Sequence, residues 1–350
     1  MTDSRLIRRD GVESRPYPQI LADALRPVSG GPLVLDLFAG CGGLALGFEA
    51  AGFETVGFEM NADAVRTYEK NLRGRCNLVK LTPESPFPRA PVVIGGPPCQ
   101  PFSVGGHQLG IKDSRDGFPV FISAIRQAQP DIWLFENVRG LLYRNRWYLD
   151  QVIDELEALG YYIHADLYNA LDFGVPQNRE RLVVFGVRKQ FRPPRGSRHR
   201  VTAGEALESL ALDAPDDGKY LTSSMDAYVK KYEIASKCIN PRDLHLDRPA
   251  RTLTCRNLAG ATGDMQRIRL PDGRRRRLTV REAARLQSFP DWFNFAGPES
   301  SQFEQVGNAV APLFANALAR TVLDHLHGET LADEPVAPRI GRQLSIEMAP

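Results

Sequence analysis

Short apolar runs, glycine turns and amphipathic stretches alternate through the first half of the chain. Leu33-Val34-Leu35-Asp36-Leu37-Phe38 has the pattern of a buried strand, and it runs into Ala39-Gly40-Cys41-Gly42-Gly43. Residues 44–51 have helical composition and stop at Gly52. Residues 55–58 predict a second strand, 61–72 a helix and 76–79 a third strand. Pro91-Val92-Val93-Ile94 is a further apolar run, ended by Gly95-Gly96-Pro97-Pro98. Then come an amphipathic helix over 118–129 and a strand over 131–135. A helix over 147–159 and strands over 161–169 and 182–187 follow. Strands that alternate with helices predict an α/β fold, a mostly parallel sheet with helices on both faces.

The second half reads differently. Around Arg192-Pro193-Pro194-Arg195-Gly196 the chain becomes rich in Pro, Gly and Arg, which marks a boundary. The reading is a variable leader over 1–31, with a short helix near 20–25, and a catalytic domain built from 32–194 and 303–327. A smaller, basic domain spans 195–302, and a loosely ordered tail spans 328–350. Within these, 278–287 predicts a helix opened by Thr279, and 303–326 an apolar helix.

Composition adds two things. The chain of 350 residues is 43% hydrophobic and 25% charged, as in an ordinary soluble protein. Its net charge is only +2, but residues 189–281 hold 20 Lys and Arg against 11 Asp and Glu. Such a segment suits a polyanion or a solvated basic surface. The five cysteines show no CxxC spacing, so neither a disulfide framework nor a metal site is expected. The amino terminus lacks the apolar core of a signal peptide, and no apolar run approaches the ~20 residues of a membrane span. A cytoplasmic protein follows.

Three places carry candidate chemistry. Cys99 sits past a strand end on a loop stiffened by prolines; it reads as a nucleophilic thiolate or as a small buried residue. Gly40-x-Gly42-x-x-Ala45 has glycine-fingerprint spacing, and Glu59 ends the next strand, where an acid can accept from ribose hydroxyls. An adenosine-containing cofactor follows. Arg179 and Arg181, two apart on an extended segment, share a face, as a fixed pair of donors or as surface arginines paired with acids.

Taken in order, the motifs resemble the DNA (cytosine-5)-methyltransferases that use S-adenosylmethionine. Asp36-Leu37-Phe38-Ala39-Gly40-Cys41-Gly42-Gly43 is similar to their cofactor loop, and Gly96-Pro97-Pro98-Cys99-Gln100 to their nucleophile loop. Glu136-Asn137-Val138, Gln177-x-Arg179-x-Arg181 and Gln305-Val306-Gly307-Asn308-Ala309-Val310 match the remaining signatures. The resemblance covers about residues 33–326. It departs at the third strand, where the family's adenine-binding Asp is absent and Asn77 is the replacement.

The resemblance implies a catalytic set of Cys99, Glu136, Arg179, Arg181, Pro98 and Gln100. Cys99 would add to carbon 6 of a flipped cytosine, Glu136 would act at N3 and the exocyclic amine, and Arg181 would hold O2. Arg179 would support the thiolate loop or meet a phosphate. The cofactor would meet Asp36, Phe38, Ala39, Gly40, Gly42, Gly43, Leu44, Glu59, Met60, Asn77, Leu78, Pro98, Phe118, Asn308 and Ala309. DNA would meet Ser103, Gly105 and Arg115 on a closing loop, and Thr252, Arg256, Asn257, Arg274 and Arg275 in the basic, target-recognition domain. Arg256 and Asn257 are the expected base readers, Arg274 and Arg275 the phosphate contacts. The substrate would be a short double-stranded DNA sequence. The resemblance implies a monomer associated with the nucleoid, either paired with a cognate restriction endonuclease, not in stable complex, or acting as an orphan modifier. The alternatives are a tRNA cytosine-5 methyltransferase, a non-catalytic DNA-binding regulator and, from the glycine spacing alone, a nicotinamide dehydrogenase.

Overall fold

A computed structural model describes residues 15–28, 30–98, 116–215, 218–235, 237, 242–259 and 264–328. Cys99, Gln100, Ser103, Gly105, Arg115 and the 329–350 tail lie outside the described residues.

The strands are β1 (Leu33–Leu37), β2 (Glu54–Glu59), β3 (Arg75–Leu78), β4 (Val92–Gly95), β5 (Ile132–Val138), β6 (Tyr162–Asn169), β7 (Gln177–Asn178) and β8 (Glu180–Val187). β9 (Ala250–Arg251), β10 (Arg267–Arg269) and β11 (Arg275–Arg277) follow. The helices of the first half are α1 (Tyr17–Ala24), α2 (Gly43–Ala50), α3 (Ala62–Asn71), α4 (Phe118–Ala128), α5 (Gly140–Tyr143) and α6 (Arg146–Glu157). Those of the second are α7 (Ala203–Leu207), α8 (Ser223–Ala235), α9 (Cys255–Ala259), α10 (Val280–Leu286), α11 (Glu299–Asn308) and α12 (Pro312–His327).

Seven strands form one sheet in the order β3-β2-β1-β4-β5-β8-β6. The first five are mutually parallel, and β8 runs antiparallel to both its neighbours. Side chains alternate between two cores, as the pleat requires. Leu35, Val93, Trp133, Phe135 and Val184 face α4 and α6, while Val34, Val92, Ile94, Leu134 and Phe185 face α2 and α12. Burial on both faces explains why the strands read as unbroken apolar runs. Trp133 fits because its neighbour on β8 is Gly186; a Cβ there would lie 2.0 Å from the indole.

The short helix expected near 20–25 is α1, which begins at Tyr17; it buries Tyr17 and Leu21, with Leu25 behind them, and Tyr17 Oη donates to Gly174 O at 3.0 Å. Apolar residues four apart give one buried stripe, enough to dock a short helix. One expectation changes: the helix expected over 303–326 is two, α11 and α12, because Pro312 cannot continue a helix from the preceding turn. The break leaves Asn308 and Ala309 at a turn. Thr279 does open α10, in a capping box with Glu282.

The second half is pinned by arginines turned inward. Arg276 forks onto Glu282 at 2.7 and 2.8 Å with both side chains 1% exposed. Arg267, wholly buried, bonds Asp243 at 2.8 Å and Glu233 at 3.3 Å. The 278–302 stretch packs on the sheet domain. Asn71 and Asn294 exchange two bonds of 2.8 Å, and Ala296 N donates to Thr67 Oγ1.

Candidate active site

The carboxyl ends of β1, β4 and β5 and the amino end of β8 meet at one edge of the sheet, where open α/β sheets bind ligands. Glu136 stands there on β5 and Arg181 on β8. Arg181 Nε donates to Glu136 Oε1 at 2.8 Å, with side chains 12% and 11% exposed. Arg181 Nη1 donates to Glu180 O at 2.8 Å. No partner is recorded for Glu136 Oε2 or Arg181 Nη2 among the described residues.

The next residue on β5 has a separate task. Asn137 Nδ2 donates to Pro97 O at 2.9 Å, and Gly117 N donates to Pro98 O at 3.0 Å. Asp116 accepts from Phe118 N and from the Tyr148 hydroxyl. Residues 98 and 117 are therefore clasped to each other. Asn137 was quoted above only as part of a motif; its place next to Glu136 on a strand end was the available signal.

The glycine loop lies alongside. Glu59 Oε2 accepts from Gly40 N at 2.9 Å, and Oε1 from Met60 N and Asn61 N at 2.8 Å. A carboxylate has about four acceptor sites, so one remains. Asp36 is 1% exposed and its Oδ2 has no partner among the described residues. Burial, and then the charge of Glu59, push its pKa well above the ordinary carboxylate range. Phe38 has a left-handed φ of +58°, a conformation that costs about 1–3 kcal/mol outside glycine. A Cβ on Gly117 would touch both the Phe38 ring at 3.0 Å and Pro98 Cδ at 2.5 Å, so the two loops share one wall. Gly43 admits the turn after α11: a Cβ there would meet Val310 O at 2.4 Å and Ala309 Cβ at 3.1 Å. Asn308, at that turn, accepts from the Cys255 thiol at 3.0 Å, a partner the sequence did not suggest.

Met60 and Leu78 are 69% and 58% exposed at the ends of β2 and β3. Asn77 Nδ2 donates to Gly57 O at 3.2 Å, which leaves its oxygen as the open acceptor. Ala39, Gly40 and Gly42 line the loop. Leu44 and Phe118 do not line it with their side chains. Leu44 is 4% exposed in the core, and Phe118 is buried edge-on against Phe135 and Tyr148. Each follows a loop residue that faces the edge, and a helix turns its next apolar side chain inward.

Arg179 corrects an expectation. It is 2% exposed and spans Leu253 O at 2.8 Å, Gly307 O at 3.2 Å and Ala309 O at 3.0 Å. Burial, with the charge of Arg181, lowers its pKa well below the usual arginine value. Its bonds clip three segments together, and its burial keeps it from a phosphate.

The expected DNA contacts separate. Asn257, 5% exposed, accepts from Thr254 N and donates to Thr252 O; it braces a turn and reads no base. Arg275 bonds Asp226 and faces Asp243 at 3.6 Å beneath α8, so it is not a surface phosphate contact. Arg267, Arg275 and Arg276 of the hairpin are buried, while Arg269 is exposed. Thr252 donates to Asn178 O at 2.7 Å. Arg256, its side chain 77% exposed, stands 3.4 Å from Asp264. Arg274 is 54% exposed at the hairpin tip, paired with Asp272 and stacked over Tyr220. No single helix among the described residues is long and apolar enough to cross a membrane.

Known proteins with these features point one way. Residues 33–324 match the model of the C-5 cytosine-specific DNA methylase family. The chain is 55% identical over 309 residues to type II methyltransferase M.AplI of Arthrospira platensis, covering 87% of this chain and 88% of that protein. It is 32% identical over 338 residues to type II methyltransferase M.NgoFVII of Neisseria gonorrhoeae, covering 85% and 88%. The structure of Entamoeba histolytica methyltransferase EhMeth has the same fold, at TM-score 0.66 and 19% identity over 86% of this chain and 99% of that one. With the glycine loop, the Glu136–Arg181 pair and the 305–310 motif gathered at one sheet edge, the chain belongs to the C-5 cytosine-specific DNA methylase family and is a DNA cytosine-5 methyltransferase.

Proposed function

We propose that the enzyme methylates carbon 5 of a cytosine flipped out of a specific duplex sequence, through a covalent bond from Cys99 to carbon 6. The observation that carries this reading is the Glu136–Arg181 contact at 2.8 Å beside the clasped Pro97-Pro98 neck. Cys99 follows Pro98 directly in the sequence. Attack at carbon 6 pushes electron density toward N3 and O2 of the ring; once carbon 5 carries the methyl, loss of its proton to a base breaks the Cys99–carbon 6 bond and frees the thiolate. Glu136 Oε2 meets N3 and the exocyclic amine, and Arg181 Nη2 holds O2, where negative charge grows. Pro98 walls the pocket and Gln100 follows the nucleophile. Arg179 acts one layer away, by holding the 253 and 307–309 carbonyls.

S-adenosylmethionine, when bound, supplies an electrophilic methyl on a sulfonium. The residues present fit it. Phe38 offers a ring face to a cation. The orphaned Asp36 Oδ2 lacks the donor that an ammonium provides. Glu59 keeps one acceptor site for ribose hydroxyls, and Asn77 offers its oxygen to the adenine amine. Met60 and Leu78 are apolar side chains that a planar adenine would cover. Gly40, Gly42, Gly43 and Ala39 admit close approach, and Asn308 with Ala309 closes the far side. Leu44 and Phe118 contribute backbone only.

Arg256 and Arg274, with Thr252, remain the DNA contacts of the second domain, and Ser103, Gly105 and Arg115 those of the loop. The designation of the relatives as type II methyltransferases supports a place in restriction-modification. In this reading the enzyme is a cytoplasmic monomer that protects nucleoid sites from a separate endonuclease. The test uses a duplex with 5-fluorocytosine at the methylated position, identified first by bisulfite sequencing. The reading expects a covalent enzyme–DNA adduct with the native chain and none with Cys99→Ala. An adduct formed equally by both, or absent with the native chain, overturns it.

A further inference from the structure

The 192–200 segment carries Arg192, Arg195, Arg198 and Arg200, and all four are exposed. It has no regular secondary structure and is tied down in the middle. Ser197 N donates to Asp172 O at 2.6 Å, and a Cβ on Gly196 would lie 2.7 Å from Asp172 Cβ. His199 N folds back to Ser197 Oγ at 2.9 Å. Against four guanidiniums the described residues set one carboxylate, Asp172, at 3.6 Å from Arg200. In the hairpin region the arginines are matched by acids: Arg267, Arg269 and Arg275 share Asp243, Glu233 and Asp226, and Arg276 has Glu282. The strap instead gathers four exposed guanidiniums within nine residues, with one carboxylate near them among the described residues.

Its position matters as much as its charge. The strap borders a cleft of about 600 Å³ lined also by Tyr168, Asn169 and Asp172, at the end of β6. Tyr168 pairs with Arg181 across β6 and β8, and Val138 pairs with Arg181 from β5. The strap therefore stands at the same sheet edge as the Glu136–Arg181 pair. Two strand spacings separate them, roughly 10 Å. That is about three base pairs along a duplex rising 3.4 Å per pair.

We propose that the 192–200 strap docks the phosphate backbone of the duplex on one side of the target cytosine. This rests on the proposed function, because it needs DNA across that edge. Exposed arginines on an irregular segment suit phosphates, which fix position, and not base edges, which demand fixed geometry. Each phosphate neutralised releases counterions, so each contact adds about 0.9 to the slope of log affinity against log salt.

The experiment measures binding of the full chain to a target duplex at several salt concentrations. It compares the native protein with the combined Arg192→Ala, Arg195→Ala, Arg198→Ala, Arg200→Ala variant and with the same four changed to Lys. Loss of two contacts lowers the slope by about 1.8, so across a fourfold rise in salt the Ala variant loses about twelvefold less affinity than the native chain. The Lys variant keeps the native slope. On a duplex shortened on one side of the target, the Ala variant and the native chain bind alike; on the opposite truncation they still differ. Equal slopes for the Ala variant and the native chain on the long duplex overturn the proposal. Methylation by the native chain is measured in parallel. If it occurs and the slopes are equal, the strap assignment alone fails; if it does not occur, the proposed function itself fails.

Discussion

The side-chain amide of Asn137 donates to the carbonyl oxygen of Pro97 at 2.9 Å, joining the strand that carries Glu136 to the neck of the segment that carries Cys99. On the proposed reading, this bond ties the residue next to the acid to the neck that precedes the nucleophile in sequence. We expect Asn137→Ala to leave Pro97 O buried without a donor, at a cost of about 1–3 kcal/mol. The single-turnover methylation rate should fall at least tenfold while S-adenosylmethionine affinity holds. An unchanged rate would remove Asn137 from the machinery.

Arg181 and Glu136 are both nearly buried, so neither can be cut back without stranding the other. Removing one partner of such a pair costs about 3–5 kcal/mol. Arg181→Ala should therefore lower the melting temperature and abolish methyl transfer. Arg181→Lys keeps the charge but loses the planar fork, so it should recover stability more than rate. Thermal melts and methylation rates on the same samples check this.

The hairpin arginines should divide by burial. Arg276→Ala strands Glu282, which also caps α10, and should destabilise the chain by about 3–5 kcal/mol in urea unfolding. Arg274→Ala, at an exposed tip, should leave stability within about 0.5 kcal/mol and weaken binding to all sequences alike. Equal stability losses would mean that the hairpin is not packed as described.

Asp36 gives a pH signature. Its folded pKa lies well above the ordinary value of 3.8, so the folded chain holds this proton where the unfolded chain releases it. The stability it contributes is present below the unfolded value and is lost as pH rises through the folded one. Asp36→Asn should flatten that decline in melts recorded from pH 4 upward. It should also weaken S-adenosylmethionine binding. An unaltered pH profile would show that the carboxyl is not buried as described.

The thiols offer a further check. Burial first, then the charges of Glu59 and Asp36, push the Cys41 thiol up to about 12, and burial likewise raises Cys76. Neither should react with iodoacetamide in the native protein at pH 7.5, while both should react in urea. Peptide mapping after labelling reads this directly.

Sequence and tertiary structure determined different things. Unbroken apolar runs, amphipathic stretches and glycine or proline stops were enough for the order of strands and helices, because those signals act within a few residues. They also placed Glu136, Arg181 and the glycine loop at strand ends, and hence at one edge. What a side chain does there depends on neighbours distant in sequence. Charge counting grouped Arg274 with Arg275, yet acids on α8 and in the 243 region draw one inward and leave the other outside. Helix phase hid Leu44 and Phe118, and carbonyls from residues 253, 307 and 309 turned Arg179 from a surface donor into an internal clip. Periodicity is a property of the local backbone, so the chain alone could set it. Burial and pairing need the whole fold assembled, because a buried charge settles only where a distant partner compensates its lost water.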